Sequence, residues 1–289
     1  MKLQGRWKCE KWRSDINPLP EVTFVLSVYN NHRFLEEALN SIDQMTYQNM
    51  HLLIFNDCSP DGSKKVLDNF VFSKSFLSLK VIHSKTNHNR VLFNEVIKHV
   101  TTEYVAYGCD DDLQISNRLE LQISKMIAEK ALLCTGDAIV IDEVGNELGR
   151  AFNPFLNYDQ IEHLISHFFS NYSFGAATCF STKLFSHFGN LKGDLREIDF
   201  ILPFRSFLLN SQPVRVAAPV IRWRRHTQNM SADNHLDSKK NQLIIEQNKL
   251  NNLREMHRIL LLAGQDFASF SYVRELLEKR IIEHEKKPQ

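Results

Sequence analysis

Three short apolar runs, each leading into a polar loop, constrain the fold of this chain more than any other feature. The runs are Val22–Val28, His51–Phe55 and Tyr104–Gly108, and their β-branched and aromatic residues are typical of buried strands. Between them, apolar residues recur at helical spacing, as in the segment 34–42. Strands that alternate with helices indicate right-handed βαβ units. The sequence therefore predicts an α/β fold built on a mostly parallel sheet flanked by helices.

The polar loops that follow these runs are candidates for a functional site. They comprise Ser27–Asn30, Asn56–Ser63 and Asp110–Asp112. In parallel α/β sheets, ligands bind at the carboxyl ends of the strands. We therefore expect the three loops to meet at one rim of the sheet.

The third loop carries three consecutive carboxylates, Asp110, Asp111 and Asp112, directly after a strand. Adjacent carboxylates repel one another, and burying them without a partner is costly. A divalent cation resolves both problems, and Mg²⁺ and Mn²⁺ prefer carboxylate oxygens while keeping positions open for phosphate. The alternative is a solvated acidic turn that also caps the following helix.

The composition argues against several classes of protein. A length of 289 residues suffices for one large α/β domain with an appendage. The net charge of +1 provides no field that would attract nucleic acid. The five cysteines include no CxxC pair, which argues against a disulfide framework or zinc ribbon and indicates a cytoplasmic location. No apolar run approaches the roughly 18 residues that span a bilayer.

Residues 1–20 are interpreted as an N-terminal tail, because Asn17-Pro-Leu-Pro20 separates them from the first strand. Five basic residues of this tail are interleaved with Trp7 and Trp12. We favour a solvated tail whose tryptophans pack on the domain. The alternative is peripheral contact with the anionic inner surface of a membrane.

The second half of the chain has less distinct patterns. The apolar runs interpreted there as strands are 131–134, 138–142, 214–220 and 221–223. His163 and His167 lie four residues apart, a spacing that can chelate zinc. Since no third ligand is apparent, we interpret both as structural.

Beyond residue 235 the pattern becomes helical throughout. Apolar residues at helical spacing predict one long helix over 243–260 and another over 270–281. We therefore divide the chain into the tail 1–20, a main domain 21–235 and a helical C-terminal extension 236–289 that has no chemistry of its own.

Several segments together resemble the family 2 glycosyltransferases. In chain order they are Ser27-Val-Tyr-Asn30, Phe55-Asn-Asp-Cys-Ser-Pro-Asp-Gly-Ser63, Asp110-Asp-Asp112 and Asn117-Arg-Leu-Glu120. The resemblance extends over about residues 21–231, and its specificity comes from the order and spacing of the segments. This chain departs from the family near Asn87, where the usual glycine is missing.

The resemblance implies a GT-A fold and transfer of a sugar from a nucleotide diphosphate to a hydroxyl, with inversion and with Mn²⁺ or Mg²⁺ as cofactor. On the matching positions, it implies that Ser27 and Tyr29 hold the nucleoside. It implies that Asp57 accepts a hydrogen bond from the base N–H, as in recognition of uracil. It also implies that Asp111 is the metal ligand and that Asp110 is the neighbouring carboxylate nearer the ribose.

The family also places a catalytic Asp at the start of a helix, six residues before an Arg. Asp199 and Arg205 have this spacing, and Glu197 precedes them. We expect Asp199, or alternatively Glu197, to take the proton of the acceptor hydroxyl. A different interpretation is that both carboxylates only favour the positive N-terminus of the helix.

Arg225 and His226 resemble the closing Arg-x-His stretch of the family, which implies that His226 contacts the donor diphosphate. A buried structural histidine is the alternative. Arg90 is a further candidate for contact with a phosphate or the base.

The implied function is a metal-dependent inverting glycosyltransferase with a nucleotide-sugar donor, UDP being favoured, and a glycan or lipid-linked acceptor. The resemblance suggests bacterial surface polysaccharide synthesis at the cytoplasmic face of the membrane. An inactive nucleotide-sugar-binding partner of such an assembly is the alternative. A nucleotidyltransferase is disfavoured, because residues 27–33 form no glycine-rich or basic phosphate loop.

Overall fold

The computed structural model describes residues 19–88, 92–151, 164–165, 175–191, 198–229, 239–263 and 271–286. Within these ranges, nine strands form one sheet, flanked by eight α-helices. The strands are β1 (Val22–Val28), β2 (Met50–Asn56), β3 (Ser78–His83), β4 (Tyr104–Cys109), β5 (Leu113–Gln114), β6 (Leu133–Ile141), β7 (Glu147–Ala151), β8 (Cys179–Ser181) and β9 (Val214–Arg224). The helices are α1 (His32–Asp43), α2 (Ser63–Asn69), α3 (Leu92–Val96), α4 (Arg118–Glu129), α5 (Lys183–Ser186), α6 (Ile198–Leu208), α7 (Lys239–Ala263) and α8 (Ser271–Glu285).

The first half of the sheet is parallel, with the strand order β3-β2-β1-β4. In this register, Val28 lies beside Asn56, and Ser27 lies beside Cys109. The carboxyl ends of β1, β2 and β4 are therefore level with one another. This arrangement confirms the prediction that their polar loops meet at one rim.

The second half of the sheet is mixed. Strand β8 pairs antiparallel with both β4 and β6, β6 runs parallel to β9, and β5 and β7 pair antiparallel with β9 and β6. The predicted α/β class is confirmed. The predicted parallel pairing of strands is found in the first half of the sheet, whereas the second half is mixed. The sequence interpretation missed β8, which has only three residues, all buried.

Two predicted strand boundaries were wrong. The runs 131–134 and 138–142 belong to one strand, β6, and the runs 214–220 and 221–223 belong to β9. Gly136 and Asp137 are residue types that are common in turns. In the structure they lie within β6, where they allow β9 to pack closely against it. A Cβ at Gly136 would lie 2.5 Å from Val220 Cγ1, and the register between the two strands shifts on either side of Asp137.

The sheet has an apolar core on each face, because successive strand residues point to opposite sides. One core contains Phe24, Leu26 and other residues that pack with α1 and α4. The other contains Val25 and Val105. Helices α7 and α8 confirm the two predicted C-terminal helices, and their apolar residues belong to this second core: Leu253, Met256, Val273 and Leu277.

Some predictions fall outside the described residues. They concern the tail 1–18, Arg90, His163, His167, Glu197, the side chain of Asp199 and the boundary at residue 235. In the ranges that the structure describes, no helix has both the length and the apolarity needed to cross a membrane.

Candidate active site

Asp110 links the loop after β1 to the end of β4. Its Oδ2 accepts the backbone N–H of Tyr29 at 2.8 Å, and its Oδ1 accepts the Asn31 Nδ2–H at 2.9 Å. The loop can make this approach because Asn30, between them, has a φ of +59°, a left-handed conformation that Asn tolerates better than most residues. Asp110 is buried by these contacts, so the two loops form one connected surface.

Asp112 is also buried and faces the end of β9. Its Oδ1 accepts the backbone N–H of Arg224 at 2.9 Å. The Nε–H of Arg224 in turn donates to the backbone oxygen of Asp111 at 3.0 Å. The acidic turn is therefore held in place by hydrogen bonds with the last residue of β9.

Asp111 is the most exposed carboxylate of the three. Its Oδ2 lies 3.0 Å from His226 Nε2 and accepts the Asn229 Nδ2–H at 2.9 Å. The Nδ1 atom of His226 faces two groups that can only donate, the backbone N–H of Gln228 and the guanidinium of Arg33. Nδ1 must therefore accept, so the hydrogen of neutral His226 is on Nε2 and points at Asp111.

The turn carries more negative charge than its surroundings compensate. Burial, and then the charge of Asp111, raise the pKa of both Asp110 and Asp112 well above the ordinary value for a carboxyl. Burial raises the pKa of the Cys109 thiol in the same way. A cation bound beside Asp111 would favour the ionised carboxylates and remove this mutual repulsion.

The donor atoms at this position fit a divalent metal. Among the described residues, Cys109, Asp111 and Asp112 can place their ligand atoms within 4.8 Å of one another. The Sγ of Cys109 points toward the Tyr107 hydroxyl, 3.7 Å away. The carboxylate oxygens that remain are the ligands that Mg²⁺ and Mn²⁺ prefer.

The nucleoside candidates differ in their exposure. Ser27 is half-buried, with its Oγ 2.7 Å from the hydroxyl of the half-buried Tyr107. Tyr29 is 43% exposed, so its ring is available to a planar ligand. Asp57 is buried at the end of β2, where its Oδ1 accepts two hydrogen bonds from His88.

A family model shows to which protein family this chain belongs. The model described as "Glycosyl transferase family 2" matches residues 23–186, which include the first eight strands and the acidic turn. This chain belongs to glycosyl transferase family 2.

Curated relatives are similar over the same part of this family 2 chain. It is 30% identical over 132 residues to "Putative glycosyltransferase EpsE" of Bacillus subtilis (45% of this chain, 47% of that protein). It is 28% identical over 122 residues to "UDP-Glc:alpha-D-GlcNAc-diphosphoundecaprenol beta-1,3-glucosyltransferase WfgD" of Escherichia coli (42% of this chain, 47% of that protein). The chain spans about half the length of these two relatives.

Solved structures share the fold. TarS 1-349 of S. aureus in complex with UDP-GlcNAc matches with a TM-score of 0.59 at 13% identity, over 88% of this chain and 74% of that chain. The mannosyltransferase PcManGT of Pyrobaculum calidifontis, in complex with GDP-Man and Mn²⁺, matches with a TM-score of 0.60 at 13% identity, over 91% and 69%. These likenesses establish the GT-A fold expected for a family 2 chain.

In this family 2 chain, the predicted base lies at the start of a helix. Helix α6 begins at Ile198, so Asp199 is in its first turn. Arg205, six residues later, is fully buried and donates to the backbone oxygens of Leu184 and Gly189, each at 2.9 Å. Burial lowers the pKa of Arg205 to about 10. Arg205 therefore secures the segment around Gly189, and the catalytic role of Asp199 stays a prediction.

Two residues of the site were missed from the sequence, His88 and Arg224. Arg224 is fully buried, donates to Glu143 O at 2.8 Å, and pairs with Glu37 at 2.6 Å. The neighbouring Arg225 stacks on Trp223 at 4.5 Å. Arg224 is the last residue of β9 and Arg225 follows it directly, and one sequence offers no signal that distinguishes the buried one.

Proposed function

We propose that this chain is a metal-dependent inverting glycosyltransferase that moves a sugar from a nucleotide diphosphate, UDP being favoured, to a hydroxyl. The observation that carries the proposal is the acidic turn Asp110–Asp112 at the end of β4. Its two buried carboxylates have raised pKa values, and Asp111 is the member that reaches the rim. Such a turn accommodates a cation and, beside it, a diphosphate.

The donor would extend across the three strand ends. Asp57 would accept the base N–H, the exposed ring of Tyr29 would stack on the base, and Ser27 would lie below the nucleoside. Asp110, already fixed by the β1 loop, would face the ribose. Support comes from two structural neighbours, which are in complex with UDP-GlcNAc and with GDP-Man.

The metal would be held by Asp111, with Asp112 beside it. When bound, Mn²⁺ or Mg²⁺ would neutralise charge on the leaving diphosphate. The hydrogen bonds from His226 and Asn229 to Asp111 Oδ2 fix the orientation of this carboxylate, and they leave Oδ1 as the oxygen most accessible to a ligand. His226, close to the same position, would lie near the diphosphate.

The base would be Asp199, with Glu197 as the alternative. An acceptor hydroxyl is a poor nucleophile at neutral pH, so a carboxylate must take its proton as it attacks the anomeric carbon. Attack from the face opposite the diphosphate inverts the configuration at that carbon. The position of Asp199 in the first turn of α6 supports this assignment.

The acceptor would be a glycan or a lipid-linked sugar of a bacterial surface polysaccharide, used at the cytoplasmic face of the membrane. This part of the proposal is supported by the names of relatives. One is named for a GlcNAc-diphosphoundecaprenol acceptor, and another for teichuronic acid biosynthesis in Bacillus subtilis.

The test is calorimetric titration of the purified chain with UDP, GDP and dTDP, with and without Mn²⁺. We expect UDP to bind tightly only with the metal, and Asp111→Asn to abolish this metal dependence. Asp68→Asn, which alters an exposed carboxylate on α2, is the control and should bind as the unmodified chain does. A folded sample that binds no nucleotide would contradict the donor site.

Transfer itself needs a second measurement. Asp199→Asn should lower turnover about 100-fold or more while UDP affinity stays unchanged. A collapse of UDP affinity in this variant would contradict its role as base. Metal-dependent binding without any transfer or hydrolysis of UDP-sugars would instead indicate the inactive partner.

A further inference from the structure

Arg33 lies at the rim, next to the histidine that contacts the proposed metal ligand. It is in the first turn of α1, directly after the loop that follows β1. Its guanidinium donates to His226 Nδ1 and to Glu143 Oε2, each at 3.4 Å, and its Cζ is 4.4 Å from the ring centroid of Phe34. A permanent cation that has only N–H donors therefore lies beside the imidazole.

The His226 imidazole is held in one orientation by its surroundings. Its side chain is fully buried, and its ring centroid is 4.7 Å from that of Phe34. The backbone N–H of His226 donates to Asn229 Oδ1 at 2.6 Å. The ring therefore directs Nδ1 toward Arg33 and Nε2 toward Asp111.

The two ring nitrogens of His226 face groups of opposite character. Nδ1 faces the guanidinium of Arg33 and the backbone N–H of Gln228, 3.4 Å and 3.3 Å away, and both groups can only donate. A neutral imidazole therefore carries its hydrogen on Nε2, and an imidazolium carries hydrogens on both nitrogens. In either state, Nε2 directs a hydrogen at Asp111 Oδ2, 3.0 Å away, and has no lone pair for a metal.

We infer that Arg33 is a positioning residue that prevents His226 from coordinating the metal and so favours Mg²⁺ and Mn²⁺ over Zn²⁺. An imidazole that binds a metal usually donates its other N–H to a carboxylate or a carbonyl, whereas Arg33 offers Nδ1 a donor. The metal is then left with oxygen ligands, which suit Mg²⁺ and Mn²⁺, while imidazole suits Zn²⁺. This inference rests on the proposed function, since it assumes that Asp111 binds a metal.

The test reverses the hydrogen-bonding character of residue 33. Arg33→Glu places an acceptor beside His226 Nδ1, which draws the hydrogen to that nitrogen and frees the lone pair of Nε2. Arg33→Lys keeps a donor there. A double variant, Arg33→Glu with His226→Phe, keeps the new carboxylate but removes the imidazole. Arg150→Glu is the control, because it makes the same change of charge at an exposed residue of β7.

Each chain is titrated with Mn²⁺ and with Zn²⁺ by calorimetry in the presence of excess UDP. The ratio of the two affinities is compared, because a new carboxylate attracts both divalent ions. We expect the ratio of Zn²⁺ to Mn²⁺ affinity to rise about tenfold or more in Arg33→Glu, a size typical of changes to the hydrogen bonds around metal ligands. The ratio should stay at the value of the unmodified chain in Arg33→Lys and in Arg150→Glu. In the double variant the rise should disappear.

Pulsed electron paramagnetic resonance of the bound Mn²⁺ provides a second readout, since it detects a nitrogen that is bonded directly to the metal. The unmodified chain should show no such nitrogen. Arg33→Glu should show one, and the double variant should lose it. The spectrum of the unmodified chain decides the question even if a variant does not fold.

Three results would overturn the inference, and they differ from failure of the proposed function. They are a directly bonded nitrogen in the unmodified chain, an unchanged ratio of Zn²⁺ to Mn²⁺ affinity in Arg33→Glu, and a raised ratio that persists in the double variant. In each case, Mn²⁺-dependent binding of UDP would still support the donor site. Absence of this binding in a folded unmodified chain would contradict both proposals together.

Discussion

Replacing Arg224 by methionine removes a buried guanidinium and leaves a side chain of similar length. In the structure this group donates to Asp111 O at 3.0 Å and Glu143 O at 2.8 Å, and pairs with Glu37 at 2.6 Å. It also lies 4.8 Å from the ring centroid of Phe34. The substitution therefore removes the contacts of this guanidinium with the acidic turn, with α1 and with the turn between β6 and β7.

We expect Arg224→Met to lower the free energy of unfolding by about 3 kcal/mol. Each of the two carbonyl hydrogen bonds contributes about 1 kcal/mol. We assign about 0.5 kcal/mol to the ion pair with Glu37, a contribution typical of exposed ion pairs, because the Glu37 side chain is 56% exposed. The contact with Phe34 adds about 0.5 kcal/mol. In a chain of this size, the total corresponds to a fall in Tm of about 6–12 °C.

The assay combines urea denaturation with titration of Mn²⁺-dependent UDP binding. Because Arg224 fixes the backbone of the proposed metal ligand, we expect binding to weaken about tenfold or more in the folded variant. The control is Arg215→Met, which removes the ion pair between Arg215, at the other end of β9, and the buried Asp137 of β6. Arg215 lies nine residues away, roughly 30 Å along the strand.

The control should be destabilised by about 3–5 kcal/mol and should bind Mn²⁺ and UDP as the unmodified chain does. Loss of stability alone would then not explain the loss of binding in Arg224→Met. Normal Mn²⁺-dependent binding by Arg224→Met, or an equal loss of binding in both variants, would refute this role of Arg224.

Two further predictions concern stability. Burial alone would raise the pKa of Asp43, but hydrogen bonds from the Ser73 hydroxyl and the backbone N–H groups of Lys74 and Ser73 lower it below the ordinary 3.8. The stabilisation is therefore present above pH 3.8 and is lost as the pH falls through the lowered pKa. Asp43→Asn should cost about 1 kcal/mol at pH 7, and thermal unfolding should show this difference shrinking below pH 3.8. Asn252 on α7 is fully buried, and neither of its amide atoms has a hydrogen-bond partner within the described part of the chain. Asn252→Leu should stabilise the protein by about 1–3 kcal/mol in urea denaturation, whereas Asn251→Leu on the more exposed side of α7 should change stability by less than about 0.5 kcal/mol.

The rim could be predicted because its signals are local. Strands β1, β2 and β4 are apolar runs that end directly in polar turns, so both the strands and the acidic turn Asp110–Asp112 can be read from short segments. Parallel pairing then brings these ends together without further information.

The remaining features depend on partners that are distant in sequence. His88 lies 31 residues from Asp57, and Arg224 lies 113 residues from Asp111. Strand β8 is too short to show a period, and its burial comes from β4 and β6 on either side. Gly136 and Asp137 are residue types that are common in turns, and their presence within a strand is explained only by the close packing of β9. Contacts of this kind leave no recognisable pattern in the neighbouring sequence.

The position of β8 has a consequence for the order in which the chain can fold as it is synthesised. Strands β4 and β6 are both made before β8, yet in the completed sheet each pairs with β8 and they do not pair with each other. Until residue 181 has left the ribosome, the N-terminal half can form only with an open edge at β4, and β6 has an open edge of its own. Open edges of apolar strands are sites of wrong pairing. A three-residue strand therefore sets the moment at which the edge of β4 is closed, while β6 keeps an open edge until β9 has been made.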